Sequence, residues 1–261
     1  MNLLALPAFT DNYIWMLHDG HQALVVDPGD ASPVLEALQR LGLELTAILV
    51  THRHLDHVGG LLKLRSVLKG QVYGPANSVI DGIDVRLREG DHVQFQSADF
   101  EVWDTPGHTA DHISYLARFD QSQPAQPSIL FCGGTLFSAG CGRLYDGTIE
   151  QLFTAINRIK HLPGDTLLCC THEYTLDNLR FARVVEPDNA EMARYEQRCQ
   201  QLRHDGQATL PTTVRTEQAL NPYMRCDQPQ VIASAQQHGA TDATALSVFT
   251  AVRQWKNTFQ T

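Results

Sequence analysis

The sequence predicts an α/β fold that ends in a smaller helical part. Between residues 3 and 170, short apolar runs of strand length alternate with segments whose apolar residues recur at helical spacing. From about residue 175 onward the spacing is helical throughout, with prolines as breaks. With 261 residues, 43% hydrophobic and 19% charged, the chain can bury a sizeable core. We therefore expect a catalytic domain over residues 1–174 and a helical substrate-binding domain over residues 175–261.

The individual strands and helices are predicted from the spacing of apolar residues and from the turn residues between them. Strands are predicted where apolar residues run or alternate between Gly, Asp and Pro signals, at 3–9, 13–17, 23–26, 47–50, 71–74, 85–87, 92–95, 100–103, 113–117, 128–132 and 166–170. Helices are predicted where leucines and valines recur three to four residues apart, at 31–41, 60–69, 149–161, 176–185, 191–202, 228–237 and 244–259. In α/β folds the chemistry lies on loops at the strand ends.

Three polar loops follow predicted strands, and each contains a histidine near its start. The first, residues 51–60, holds three imidazoles and a carboxylate within six positions, while His108 and His172 lie in the other two. Imidazole is the commonest protein ligand for zinc, and a carboxylate adds a hard oxygen donor. A lone histidine at a strand end is usually incidental, but three loops of this kind at one sheet edge predict a shared metal centre.

Composition excludes several classes of function. The formal charge of -9 argues against a nucleic-acid partner, because that binding is driven by cations neutralising phosphates. No stretch approaches the ~20 apolar residues of a membrane span, and the N-terminus lacks a signal-peptide pattern. The six cysteines show no C-x-x-C spacing, which indicates free thiols and a cytoplasmic protein. Cys169 and Cys170 near His172 could suggest a thiol nucleophile, but their apolar run favours buried strand residues.

Five motifs together resemble glyoxalase II (hydroxyacylglutathione hydrolase) of the metallo-β-lactamase superfamily. They are T-H-x-H-x-D-H-x-G-G at 51–60, T-P-G-H-T at 105–109, H-E-Y-T at 172–175, D-N-Y at 11–13 and G-C-G-R-L-Y-D-G-T at 140–148. The resemblance covers essentially the whole chain. It implies a four-layer αββα sandwich with two divalent metal ions at one edge of the sheets, zinc being expected and iron or manganese compatible with the same ligands. The implied reaction is hydrolysis of S-2-hydroxyacylglutathione, such as S-D-lactoylglutathione, to glutathione and a 2-hydroxy acid, D-lactate.

The resemblance also implies the roles of individual residues. It assigns one metal to His52, His54 and His108, and the other to Asp56, His57 and His172. Asp56 is also expected to be catalytic, by orienting the metal-held hydroxide that attacks the thioester carbonyl. The residues expected to bind the glutathione part are Arg143, Tyr145, Tyr174, Arg253 and Lys256.

One position departs from the family pattern. The family has Gly-Asp-Thr-Leu-Phe before the Gly-rich loop, and its Asp bridges both metals; here Gly134 stands at that position. Glycine offers no donor, and Cys132 is two residues away with no reason to be a ligand. A missing anion also leaves two dications less screened from each other. We therefore expect reduced metal occupancy, chiefly at the second site, and lowered hydrolase activity.

Other functions stay open from the sequence alone. Gly134 makes a degenerate member possible, one that binds metal or glutathione conjugates without turnover. A persulfide dioxygenase is a second alternative, although Gly134 removes an iron ligand of that branch. A lactonase or β-lactamase would explain neither Arg143 nor the pair Arg253 and Lys256. The expected partner is a small-molecule glutathione thioester, with no nucleic acid, no membrane and a monomeric chain.

Overall fold

The computed structural model describes residues 1–119 and 126–259, and its strands form two six-stranded sheets. The first sheet has the strand order β1 to β6: β1 (Asn2–Ala8), β2 (Asn12–His18), β3 (Gln22–Val26), β4 (Glu44–Leu49), β5 (Gln71–Pro75) and β6 (Val85–Leu87). The second has the order β14-β13-β10-β9-β8-β7: β7 (His92–Phe95), β8 (Ala98–Asp104), β9 (Ile113–Phe119), β10 (Ile129–Gly133), β13 (Leu167–Cys170) and β14 (Thr212–Thr213). A small hairpin of β11 (Leu136–Phe137) and β12 (Gly140–Cys141) stands apart from both sheets.

The helices cover the outer faces of the sheets and make up most of the C-terminal part. They are α1 (Ala31–Leu41), α2 (Leu55–Val58), α3 (Leu61–Leu64), α4 (Ile149–Lys160), α5 (Thr175–Val185), α6 (Ala190–His204), α7 (Val214–Leu220), α8 (Pro229–Gln237) and α9 (Ala245–Thr258). None of the helices in the described ranges has the length and apolar character that a bilayer crossing requires.

Alternation along the first sheet separates two cores. Ile14 and Met16 face α1 and α3, whereas Trp15 and Leu17 face the second sheet. The second sheet is buried on both faces, so its central strand β10 is apolar at consecutive positions instead of alternating. Helices α4, α5 and α9 contribute to the core on its far side. The layers are therefore helix, sheet, sheet and helix, the sandwich that the resemblance implies.

Backbone hydrogen bonds join the two sheets at the edge where the polar loops lie. The amide of Ile113 donates to the Thr51 carbonyl over 2.9 Å, and the amide of Tyr13 donates to the Thr171 carbonyl over 2.7 Å. Within the sheets, β3 runs parallel to β4 and β10 runs parallel to β13, so the carboxyl ends of these strands share an edge. The loops that follow them therefore converge on one place.

Two glycines after α2 allow a close approach of two chain segments. Their φ angles, -59° for Gly59 and -83° for Gly60, are ordinary helical values. A Cβ at Gly59 would lie 2.6 Å from the Gly29 carbonyl oxygen, and one at Gly60 would lie 2.6 Å from the Pro28 carbonyl oxygen. The glycines are needed because the loop after β3 passes directly against this segment, and not because the backbone is unusual.

The structure corrects several of the predicted elements. The predicted helix over 60–69 is only one turn, α3, because the amide of Lys69, two residues before β5, already donates to the Leu45 carbonyl on β4. The C-terminal part is not wholly helical, since β14 pairs antiparallel with β13 and extends the second sheet. Helix α7 was not predicted either. A two-residue strand and a seven-residue helix are too short for a periodic pattern to show.

Candidate metal centre

The structure brings the six residues expected to bind metal together in two sets at the joined edge of the sheets. In each set the nitrogen or oxygen donor atoms lie within 4.8 Å of one another. The first set takes two histidines from the loop after β4 and one from the loop after β8: His52, His54 and His108. The second takes two residues from α2 and one from the loop after β13: Asp56, His57 and His172.

In the first set, three ring nitrogens converge on one point. His54 Nδ1 lies 3.0 Å from His52 Nε2 and 3.2 Å from His108 Nε2. The other nitrogen of His52 bonds the Thr51 hydroxyl, and that of His108 bonds the Arg143 carbonyl. A carbonyl only accepts, so His108 carries its proton on Nδ1 and its Nε2 presents a lone pair. His54 Nδ1 carries at most one proton, so it cannot donate a hydrogen bond to both neighbouring nitrogens. A divalent cation bound by all three nitrogens would account for their close approach.

The second set is organised around one carboxylate oxygen. Asp56 Oδ2 lies 3.5 Å from His57 Nε2 and 3.3 Å from His172 Nε2. Each imidazole donates its Nδ1 proton to a further carboxylate, His57 to Asp27 over 2.9 Å and His172 to Asp11 over 2.8 Å. Such partners fix the tautomer and the ring orientation of metal-binding histidines. This donor set also fits a divalent ion.

The sequence did not predict the roles of the residues that orient the candidate ligands, although Asn12 lies in the D-N-Y motif. Asp27 is buried and accepts hydrogen bonds from both the amide and the hydroxyl of Thr51 as well as from His57. Asn12 donates its side-chain amide to Asp56 over 3.0 Å. Asp27 directly follows the apolar strand β3, and His52 follows β4 after two intervening residues. This shared position at the end of an apolar strand was the signal that could have identified Asp27.

Burial keeps the imidazoles of the first set neutral, which is the form that binds metal. Desolvation lowers the pKa of His108 to about 4, and the pKa of His52 is lowered by burial and by the neighbouring imidazoles. Burial also lowers the pKa of His54. For Asp56, burial alone would raise the pKa, but a hydrogen bond from His172, the neighbouring His57 imidazole and a hydrogen bond from Asn12 lower it overall. The carboxylate is therefore ionised near neutral pH.

Gly134 lies against the first set and supplies no side-chain donor. Its amide donates to His112 Nε2 over 3.0 Å, which leaves the His112 Nδ1 proton for the hydroxyls of Thr105 or Thr135. A Cβ at position 134 would lie 2.5 Å from Cδ2 and 2.7 Å from Nε2 of His108. The ring of His108 thus occupies the space that a longer side chain at 134 would need.

The cysteines take no part in either set. Cys132 Sγ faces the Leu136 and Cys169 carbonyls and lies 3.9 Å from Cys170 Sγ, so it points away from the histidines. Cys169 and Cys170 are fully buried. Burial and the neighbouring Cys132 raise the pKa of the Cys169 thiol, and the hydrogen bond with Cys132 followed by burial raises the pKa of the Cys170 thiol. All six cysteines are free, as predicted, and all six are buried, although burial was predicted only for Cys169 and Cys170. A thiol nucleophile beside His172 is therefore not supported.

A cavity of about 520 Å³ opens onto both sets. Five of the candidate ligands line it, and so do all five residues expected to bind substrate: Arg143, Tyr145, Tyr174, Arg253 and Lys256. The ring of Tyr145 packs 4.6 Å from His54, and that of Tyr174 stacks on His172 at 4.7 Å with an interplanar angle of 6°. The cavity therefore joins the candidate metal centre to a cationic wall.

Arg253 is a buried cation with uncharged hydrogen-bond partners. It is 3% exposed, and its guanidinium donates to the Cys141 carbonyl over 3.2 Å and to Asn257 Oδ1 over 3.0 Å. Its Nε has no partner among the described residues. Lys256 lies one helical turn further along α9, and burial followed by the charge of Arg253 lowers its pKa. Within an acidic protein, this end of the cavity attracts anions.

Comparison with known proteins decides the family. Residues 8–172 match the profile of the metallo-beta-lactamase superfamily, and residues 173–259 match the profile described as hydroxyacylglutathione hydrolase C-terminus. A hydroxyacylglutathione hydrolase of Albidiferax ferrireducens is 48% identical over 259 residues, covering 99% of this chain and 100% of the relative. The chain belongs to the hydroxyacylglutathione hydrolase family.

Solved structures agree on the fold. The crystal structure of ETHE1 from Myxococcus xanthus has a TM-score of 0.66 and 23% identity, covering 98% of this chain and 92% of that one. At that identity the likeness shows the fold alone. A structure of TTHA1623 in a di-iron-bound form has a TM-score of 0.51 and 26% identity, covering 66% of this chain and 92% of that one. This chain thus shares its fold with both solved structures.

Proposed function

We propose that this protein is a metal-dependent thioester hydrolase that cleaves S-2-hydroxyacylglutathione, with S-D-lactoylglutathione as the typical substrate, to glutathione and D-lactate. One observation carries the proposal. A single cavity has both candidate metal-binding sets at one end and three cationic side chains in its wall. A relative named hydroxyacylglutathione hydrolase, at 48% identity over 99% of the chain, supports the same activity.

The first set would hold one divalent ion and the second set another. A bound divalent metal lowers the pKa of water toward neutrality and polarises a carbonyl oxygen, which is what thioester hydrolysis needs. Zinc fits the nitrogen-rich donors best, and the same donors accept iron or manganese. Because Gly134 adds no donor, we expect the first set, with its three imidazoles, to hold its ion more tightly than the second.

Asp56 has the geometry to orient the attacking water. Its Oδ2 accepts the Asn12 amide and faces His57 and His172. The side chain is 39% exposed, which leaves its second oxygen accessible to a water in the cavity. An ionised carboxylate can only accept hydrogen bonds, so it would fix the direction in which that water points its protons. We assign Asp56 the catalytic role on this basis.

The cationic wall suits the two carboxylates of glutathione. Arg143, Arg253 and Lys256 line the cavity together, and charge-assisted hydrogen bonds to carboxylates are the stronger kind. Tyr145 and Tyr174 line the same cavity and pack against His54 and His172. Burial raises the pKa of Tyr174 to about 12, so its phenol keeps its proton and can donate to the thioester carbonyl or the peptide part. The thiolate product departs without a strong acid, since an ordinary thiol pKa is about 8.5.

We also propose the organisation that this activity implies. Residues 1–174 would form the catalytic domain and residues 175–261 the substrate-binding domain, whose last two residues lie outside the described ranges. We propose a monomer that works in the cytoplasm, where thiols such as its six buried cysteines stay reduced. Its partner would be the small-molecule thioester, with neither nucleic acid nor membrane involved.

The test is hydrolysis of S-D-lactoylglutathione by the zinc-loaded protein, compared with Lys256→Met and with Lys63→Met as a matched control. Lys63 is an exposed lysine on α3, away from the cavity lining. We expect turnover in the wild type, a KM raised about tenfold in Lys256→Met, corresponding to about 1.4 kcal/mol, and no change in Lys63→Met. No turnover at full metal loading would contradict the proposal.

A second candidate function is favoured by Gly134 alone. A member that binds glutathione conjugates but does not turn them over would show tight binding of S-methylglutathione, a thioether that cannot be hydrolysed, together with no loss of thioester. Persulfide dioxygenase activity would appear as oxygen consumption with glutathione persulfide; the named relatives do not favour it.

A further inference from the structure

Helix α7 carries a buried carboxylate that lies outside the metal centre and outside the cavity. Glu217 has no exposed surface and accepts four hydrogen bonds, two on each oxygen. The hydroxyls of Ser138 and Thr212 donate to Oε1 over 2.8 and 2.7 Å. The amide of Ala139 and the side-chain amide of Asn221 donate to Oε2 over 2.8 and 2.9 Å. All four acceptor positions of the carboxylate are thus in use.

Two of these donors form the tip of the hairpin between β11 and β12. Ala139 has a φ of +56°, a left-handed conformation that a residue other than glycine adopts at a cost of about 1 kcal/mol. Asn221 also donates to the Phe137 and Gly140 carbonyls over 3.2 and 3.0 Å, and Asn178 on α5 donates to the Ser138 carbonyl over 3.1 Å. The C-terminal part of the chain therefore holds the hairpin tip through hydrogen bonds to its carbonyls, to one amide and to one hydroxyl.

The same hairpin shapes the substrate end of the cavity. The ring of Phe137, on β11, packs 5.2 Å from that of Tyr174. The carbonyl of Cys141, on β12, accepts a hydrogen bond from Arg253. Two residues further on, Arg143 enters the cavity lining and its carbonyl receives the Nδ1 proton of His108. A shift of the hairpin would therefore move the cationic wall relative to the histidines.

We propose that Glu217 is a positioning residue for substrate binding. Glu217 fixes the position of the hairpin of residues 136–141, and the hairpin in turn fixes the positions of Arg143 and Arg253 in the cavity. This inference rests on the proposed function, because it takes the glutathione part of the substrate as the group that the cationic wall receives. It assigns the C-terminal part of the chain a second task, that of holding a loop of the catalytic part in its binding-competent position.

Paired variants separate positioning from simple stability. Ser138→Ala and Thr212→Val each remove one hydroxyl donor to the same oxygen of Glu217, but only Ser138 belongs to the hairpin. Tyr195→Phe controls for the contact of 3.2 Å between the Tyr195 and Ser138 hydroxyls. Glu217→Gln keeps the shape and can keep four hydrogen bonds, because the two hydroxyls can reverse and accept from its amide. Glu217→Ala leaves the hairpin donors unpaired.

The experiment measures binding of S-methylglutathione by calorimetry on zinc-loaded proteins, with KM and kcat for S-D-lactoylglutathione alongside. We expect Kd and KM to rise about tenfold in Ser138→Ala and more in Glu217→Ala. Thr212→Val, Tyr195→Phe and Glu217→Gln should stay within about twofold, and metal content should not change. Should Glu217→Ala fail to fold, Ser138→Ala against Thr212→Val decides the matter.

Equal Kd values in Ser138→Ala and Thr212→Val would overturn the positioning role. A wild type that binds S-methylglutathione but hydrolyses no thioester would instead contradict the proposed function and leave the binding comparison valid. A wild type that does not bind S-methylglutathione would overturn both.

Discussion

Gly134→Asp perturbs the metal centre at the point where this chain departs from its family. A Cβ at position 134 would lie 2.5 Å from His108 Cδ2, so the ring has to withdraw by about 0.9 Å to reach an ordinary contact of 3.4 Å. The ring is held from behind by its hydrogen bond of 2.8 Å to the Arg143 carbonyl. Overpacking of this kind typically costs about 1–3 kcal/mol. Gly134 has no positive φ, so the backbone itself accepts a side chain.

The carboxylate opposes that cost by adding an anionic donor beside the first set, at the position where the family's Asp bridges both metals. An attraction between unit charges about 4 Å apart is worth about 4 kcal/mol at an effective dielectric constant of about 20. The gain therefore exceeds the packing cost when metal is bound, and only the packing cost remains when metal is absent. We predict that Gly134→Asp is less stable than the wild type without metal and holds more metal when loaded.

Gly134→Ala is the matched control, since it brings the same Cβ contact with His108 without the carboxylate. Metal per chain is measured by elemental mass spectrometry after dialysis against a weak chelator. We expect about one retained ion in the wild type, about two in Gly134→Asp and one or fewer in Gly134→Ala. Two ions held tightly by the wild type, or equal metal in the Asp and Ala variants, would refute this reasoning.

Three further predictions concern the surroundings of the centre. Asp27→Asn should weaken metal affinity by about 10- to 100-fold, because the new side-chain amide cannot accept hydrogen bonds from both the Thr51 amide and His57. Competition with a coloured chelator measures the affinity, and an unchanged affinity would contradict the prediction. Arg53→Met should lower the free energy of unfolding, measured in urea, by about 1 kcal/mol, since Arg53 forms ion pairs with Asp111 and Asp146. A loss smaller than the experimental error would show that these ion pairs do not stabilise the fold. Chelation should lower the melting temperature, as metal at a hundredfold excess over Kd stabilises by about 2.7 kcal/mol; an unchanged melting temperature would show that the sets do not hold metal.

Much of the fold followed from local pattern. Strands such as β6 and β7 begin and end where alternation and turn residues place them, and helix α1 occupies its predicted range of 31–41. The candidate ligands were also accessible, because each lies in the polar segment that follows an apolar strand. A strand end is a local property, and parallel strands bring such ends to a common edge.

The rest depends on contacts between distant segments. Asp27 orients His57 from 30 residues away, and Asp11 orients His172 from 161 residues away. The local pattern places Asp27 at the end of a strand and Asp11 in the D-N-Y motif, but it does not show which histidine each carboxylate contacts. The same holds for Glu217, whose four donors come from three separate segments. The lack of space for a side chain at Gly134 likewise depends on tertiary packing, because the ring of His108 fills that space.

The central claim is that the cavity joins thioester hydrolysis to recognition of glutathione. The most direct measurement compares kcat/KM of the zinc-loaded protein for S-D-lactoylglutathione and for the D-lactoyl thioester of N-acetylcysteamine, which lacks both glutathione carboxylates. Two charge-assisted contacts of about 1.4 kcal/mol each predict a preference of about 100-fold for the glutathione thioester. Equal values for the two thioesters, or hydrolysis of neither, would contradict it.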